Sequence, residues 1–377
     1  MEINSNQLQN QNTMISKSKL LAILTLLAAI PFISCKKDNN DEPAKKPEIY
    51  VYAGGFSVNS SQVAIPGYWE NGIWNGLAPL SVNQYSCVRS ITVFNNDIYA
   101  AGYSTNSAGI IVPGYWKNGS WVGLAPLDPA RNSDVFSIAI SGSNLYAAGT
   151  SELNSGNMPG YWKNGTWNAL PKLDAAKSSS VVSIIISNDN IYVGGNNNNS
   201  NSICIPGYWK NGIWNALPLL DLTKSSYLES FFISGEDIYA GGFCLNDSDI
   251  SVPGYWKNGV WIECNPIDAT KGSEVFSITV SDNDVYTGGY SINSLGTRVP
   301  GYWKNGIWNG LTPLDDTKTS YVYSIVILGS DVYAGGCSTN SSNISIAGYW
   351  KNGIWNTLTS IDATKNSFVF SLVIAEK

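Results

Sequence analysis

The chain repeats one unit seven times. Its clearest stretch reads Pro-Gly-Tyr-Trp-Lys-Asn-Gly-x-Trp-Asn, and the first tryptophan falls at Trp69, Trp116, Trp162, Trp209, Trp256, Trp303 and Trp350. The spacing is 47 residues, with one step of 46. A unit this long, built of short β-prone runs and tight turns, cannot bury its apolar faces alone, and copies stacked in a ring can. The expected fold is all-β: a seven-bladed β-propeller of four-stranded antiparallel blades.

The unit around Trp303 sets out one blade. Residues 274–280 alternate and are β-branched, 285–289 end in Gly288-Gly289, 299–304 carry the motif, and 307–311 follow an Asn305-Gly306 turn. Asn-Gly between two strands is the strongest short hairpin signal, because both turn positions need positive φ. A two-residue turn also fixes register. Lys304 should face Ile307, Trp303 should face Trp308, and Tyr302 should face Asn309. The same hairpin recurs at 66–75, 113–122, 159–168, 206–215, 253–262, 300–309 and 347–356. All 14 tryptophans belong to these seven pairs. Blades diverge away from the axis, so large rings are expected on the outer strands as wedge-filling core rather than as a ligand surface.

The two ends of the chain are out of phase. The first unit begins at the second strand, residues 49–55, and the last segment, 368–374, is an innermost strand with nothing after it. The C-terminal strand should therefore complete the N-terminal blade and leave no free inner edge. Strand, turn, Tyr-x-Gly-Gly strand, loop and Tyr…Trp hairpin together resemble the kelch repeat over residues 48–377. The Gly-Gly pairs are Gly54-Gly55, Gly194-Gly195, Gly241-Gly242, Gly288-Gly289 and Gly335-Gly336, with Ala101-Gly102 and Ala148-Gly149 as departures. The resemblance implies a fold and no particular activity.

Residues 1–35 read as an address. Lys17 and Lys19 precede an apolar run at 20–32, too short for a comfortable membrane span, and then Ile33-Ser34-Cys35. Residues 1–13 are polar and unlike a signal, which makes Met14 an alternative start. A small residue immediately before Cys resembles the lipobox of bacterial lipoproteins, which would make Cys35 the lipidated residue. Residues 36–47 are charged and contain proline, as a solvated tether would. Their Cys-Lys-Lys-Asp start is similar to surface lipoproteins of Bacteroidetes-type bacteria. That resemblance implies a cell-envelope protein held to the outer membrane by lipid alone, and possible exposure on the cell surface. The propeller at 48–377 is expected to be monomeric.

Several function classes lose support. Histidine is absent, which removes Ser-His-Asp and Cys-His catalysis and His-ligated metals. A formal net charge of −6 speaks against nucleic acid. No Cys-x-x-Cys pair supports zinc, and no cofactor is expected. Five cysteines, Cys87, Cys204, Cys244, Cys264 and Cys337, fall in the propeller at unrelated repeat positions. They read as small buried substitutes, and the sequence leaves room for one disulfide.

Three features remain for function. Six loops read Asp-x-x-Lys/Arg: Asp128/Arg131, Asp174/Lys177, Asp221/Lys224, Asp268/Lys271, Asp315/Lys318 and Asp362/Lys365. The spacing suits one helical turn closed by a local ion pair. An asparagine follows the Gly pair by four residues at Asn59, Asn106, Asn199, Asn246, Asn293 and Asn340, with Asn154 shifted. These are turn formers or, on a sharper reading, amides that contact a ligand. Asn246-Asp-Ser-Asp249 is a weak candidate for calcium. One position also breaks the repeat: Arg89, Phe136, Val182, Glu229, Phe276, Tyr323 and Phe370 stand just before the innermost-strand serine. They should ring the mouth of the central channel, with Arg89 and Glu229 three blades apart. This is a candidate small-ligand site, although drift among copies would give the same pattern.

The leading expectation is a binding module for an extracellular glycan or protein partner. A carboxylate-based polysaccharide lyase or hydrolase, drawing on Glu229, Asp247, Asp249 or Glu274, is the enzymatic alternative. A structural spacer in a surface assembly is the third.

Overall fold

The structure, a computed structural model, describes residues 48–376. The signal segment, Cys35 and the tether lie outside the described residues. Every regular element described is a strand, and the strands form seven four-stranded antiparallel sheets. The molecule is a seven-bladed β-propeller. In the blade around Trp303 the strands run Ser273–Ser281, Asp284–Ile292, Arg298–Lys304 and Ile307–Gly310 from the axis outward. Lys304 faces Ile307, Trp303 faces Trp308 and Tyr302 faces Asn309, as the two-residue turn requires. The closing blade takes Ser367–Glu376 as its innermost strand, beside Ile49–Val58, Ala64–Glu70 and Ile73–Gly76.

The turn asparagines all have φ between 48° and 51°, and the glycines after them between 81° and 87°. Each asparagine also ties the hairpin inward. Asn305 Oδ1 accepts from the backbone nitrogen of Val285 at 2.9 Å, and its Nδ2 donates to Asp284 at 2.7 Å. The same backbone bond recurs in every blade.

The tryptophans are core. The first of each pair is fully buried, and the two rings lie 4.4 to 4.6 Å apart. Each buried indole also donates across to the neighbouring blade, as Trp303 does to the carbonyl of Asn265 at 2.7 Å and Trp350 to Thr312 at 2.8 Å. The glycine of Pro-Gly-Tyr-Trp is the floor under the outer ring. A Cβ at Gly301 would stand 2.3 Å from Trp308 Cη2. One motif thus fills the wedge and links adjacent blades.

The innermost strands are joined by serine. Six of the seven serines after the variable ring position accept a hydrogen bond from a backbone nitrogen of the next blade, at 3.0 to 3.3 Å. Ser277, for example, receives Ile325. These bonds satisfy donors on strand edges that no other strand pairs. The five propeller cysteines are buried free thiols, so none is bridged. Burial pushes them up, to about 12 for Cys87, Cys204, Cys264 and Cys337 and about 11 for Cys244. Such thiols are inert.

The Asp-x-x-Lys/Arg loops correct an expectation. They are β-turns and not helical turns. Each aspartate accepts from the backbone nitrogen two residues on, and the nitrogen of the basic residue donates to the aspartate carbonyl at 3.1 Å. Only Arg131 pairs with its own aspartate, Asp128, at 3.5 Å. Lys224 reaches Asp249 at 2.7 Å and Lys177 reaches Ser202. Aspartate bonds its own turn backbone more readily than it waits for a flexible lysine.

Candidate functional site at the channel mouth

Every innermost strand carries one β-bulge, and it falls at the same place. Pairing runs Val88 with Gly102, then Ser90 with Ala101, so Arg89 has no partner. Phe136, Val182, Glu229, Phe276, Tyr323 and Phe370 are skipped in the same way. A bulge re-aims the extra residue. Here it turns seven side chains to the axis, where they and six of the following serines line a single cavity of about 270 Å³. The second glycine of each Gly-Gly pair makes room for the bulge. A Cβ on Gly242 would stand 1.9 Å from the carbonyl oxygen of Tyr227, and one on Gly102 would stand 2.1 Å from that of Cys87. The first glycine meets only side chains of the next blade, which is why Ala101 and Ala148 are accepted there.

Arg89 and Glu229 stand in this cavity as its two charged wall members. Arg89 Nε lies 3.5 Å from Asp134 on the next blade. Its guanidinium carbon is 5.6 Å from the ring centres of Tyr103 and Phe370 and 5.7 Å from that of Phe136. Burial raises Asp134 to about 6, against the pull of Arg89. Glu229 is raised further, to about 7, by burial and then by the nearby charge of Glu274. Among the described residues, no cation lies within ion-pair distance of Glu229. Between the two charges runs an aromatic arc. Phe276 and Tyr323 are stacked at 5.5 Å, and Tyr323 meets Phe370 at 5.3 Å.

The structure therefore brings all seven ring residues singled out in the sequence into one cavity. The loop asparagines lie elsewhere. Asn106, Asn199, Asn246, Asn293 and Asn340 each accept, through Oδ1, the backbone nitrogens two and four residues on, and Asn59 accepts that of Val63. This holds the loop in shape. Asn154 instead accepts from Arg131. No group of three metal-ligating side chains occurs among the described residues.

Asp134 and Tyr103 at Arg89 were not found from the sequence, and neither were Tyr290 and Arg298 beside Glu274, itself one of the acids singled out there. Arg298 lies 5.1 Å over the Tyr290 ring. A signal was present. The residue two before the ring position reads Cys87, Asp134, Ser180, Tyr227, Glu274, Tyr321 and Phe368, as variable as the ring itself. The residue after the Gly pair reads Phe56, Tyr103, Thr150, Asn196, Phe243, Tyr290 and Cys337. These two sets are paired across the strands, as Asp134 with Thr150 and Glu274 with Tyr290.

No protein-family model matches the chain, and no curated protein matches it. Among solved structures, one described as "Structure of YjhT" is similar at 11% identity and a TM-score of 0.40, covering 76% of this chain and 96% of that one. The seven-bladed ring stands on its own strand pairing.

Proposed function

We propose that this protein is a lipid-anchored cell-envelope propeller that binds an extracellular partner, a glycan or a protein, at the channel mouth. One observation carries the reading. Seven copies agree wherever the fold needs agreement, at the Trp pairs, the Asn-Gly turns and the bulge glycines, and diverge where side chains face the cavity. Copies of one unit under a shared folding constraint act as an internal comparison, so divergence on a concave, aromatic surface set in a constant frame supports recognition there. The Gly pairs and the Tyr…Trp hairpin support a kelch-like repeat. Cys35 and the tether support a chain held at the outer membrane by lipid and facing outward. A glycan array probed with residues 36–377, beside an Arg89→Ala/Glu229→Ala double variant, tests the reading. A hit lost in the variant is expected. A hit that survives would move the site away from the cavity, and no hit followed by an empty envelope pull-down would remove the binding role.

The enzymatic alternative has one observation in its favour. A carboxyl held near 7 within a cavity has the poise of a general acid–base group. Polysaccharide turnover that disappears in Glu229→Gln while binding persists would establish it.

A further inference from the structure

The binding role proposed for the cavity leaves open what chemistry enters it, and the two ring charges bear on that. Glu229 faces Arg89 from three blades away, and the two make no ion pair with each other. Each is chemically open. The charge that acts on Glu229 is another carboxyl, that of Glu274. A carboxylate withdrawn from water without a counter-charge is costly, and a cation entering the cavity relieves that cost. Arg89 engages Asp134 through Nε alone and at 3.5 Å. Its terminal amino groups donate no hydrogen bond among the described residues, although a guanidinium offers five donors suited to a carboxylate. The arc of Phe276, Tyr323 and Phe370 joins the two charges with apolar faces that can also carry an ammonium group.

We propose that the channel mouth takes a small zwitterion, with a primary ammonium group held at Glu229, a carboxylate held at Arg89 and an apolar stem along the aromatic arc. A neutral sugar would leave Glu229 unanswered and Arg89 with Asp134 alone. A simple anion would meet Glu229, and a diamine would meet Arg89. A volume of about 270 Å³ suits a molecule of amino-acid or dipeptide size.

The test is isothermal titration calorimetry on the full chain carrying Cys35→Ala, kept in mild detergent. The probes are β-alanine, γ-aminobutyrate and ε-aminocaproate, with hexylamine and hexanoate as single-charge controls. At least one zwitterion should bind about ten-fold more tightly than either control. Glu229→Gln should reduce it to the level of the carboxylate control, and Arg89→Gln to that of the amine control. Near-ultraviolet circular dichroism checks that both variants fold, and the wild-type comparison of probes stands even if one does not. Equal binding of zwitterions and controls, no binding of any probe, or a preference unchanged in Glu229→Gln would each overturn the proposal. Glycan or partner capture that persists in those cases would leave the broader binding role intact.

Discussion

Gly241 and Gly242 are neighbours in sequence, yet they meet different obstacles. A methyl on Gly242 would run into a carbonyl oxygen at 1.9 Å, and backbone cannot step aside without undoing the bulge. A methyl on Gly241 would meet Ile278 Cβ at 3.0 Å and Val275 Cγ1 at 3.1 Å, side chains that can shift slightly. Gly242→Ala is expected to cost about 2–4 kcal/mol, and Gly241→Ala about 1 kcal/mol or less, by urea midpoints. Similar costs would mean that the bulge is not rigidly held. Glu229 gives a second residue-scale prediction, with a sign. Its carboxyl rises from 4.5 to about 7, so the native state keeps a proton that the unfolded chain has lost. Stability is then greatest below 4.5 and falls as pH climbs toward 7. Asp134, raised to about 6 beside Arg89, acts in the same direction, whereas Glu274 acts on Glu229 itself. Comparing Glu229→Gln with wild type isolates the one group. The variant should match wild type near pH 4 and exceed it at pH 8 by something on the order of 2 kcal/mol. A difference that does not change with pH would place Glu229 in ordinary solvent.

At the scale of the element, the Asn-Gly hairpin combines two effects that substitution can separate. Asn305 occupies positive φ and also bonds Val285 and Asp284. Asn305→Ala loses both the bonds and the tolerance for that backbone, at about 2 kcal/mol. Asn305→Gly loses only the bonds and should cost about half as much. If the two cost the same in thermal melts, the side-chain bonds alone hold the turn. The hairpin was legible in advance because its signal is local: two residues set φ, and register follows. The bulge was not. Its requirement is written on the neighbouring strand, as a glycine beneath a carbonyl, and only the pairing of the two strands reveals it. The Asp-x-x-Lys/Arg loops misled for a related reason. Three-residue spacing fits a helical turn and an Asx-capped β-turn equally, and the aspartate's bonds to its own backbone choose between them. The candidate site stood out at Arg89 and Glu229 because charge breaks an otherwise apolar column. Asp134 and Tyr103 stayed hidden because their contacts to Arg89 cross from strand to strand and blade to blade.

For the whole molecule, the question is what makes seven similar sheets one cooperative body. Hydrogen bonds from buried indoles and to inner serines cross every blade boundary they serve, so each blade is held by its neighbours more than by its own length. Such an array needs no end caps if it closes, and closure rests on one strand. Ser367–Glu376 lies along Ile49–Val58, pairing Ser367 with Ser57 and Glu376 with Ile49. Its Ser371 receives Ile91 from the blade on one side, and its Leu372 nitrogen donates to Ser324 of the blade on the other. Phe370 on the same strand is part of the cavity wall. Deleting residues 367–377 should therefore expose the inner edge of Ile49–Val58, open the ring and dismantle the site together. The shortened chain is expected to lose its near-ultraviolet tryptophan signal and a sharp melting transition, and to associate through the exposed edges on gel filtration. A synthetic peptide of residues 367–377, added in excess, should restore part of both signals by pairing as the missing strand. A shortened chain that melts within a few degrees of wild type would show that blade-to-blade contacts alone hold the ring.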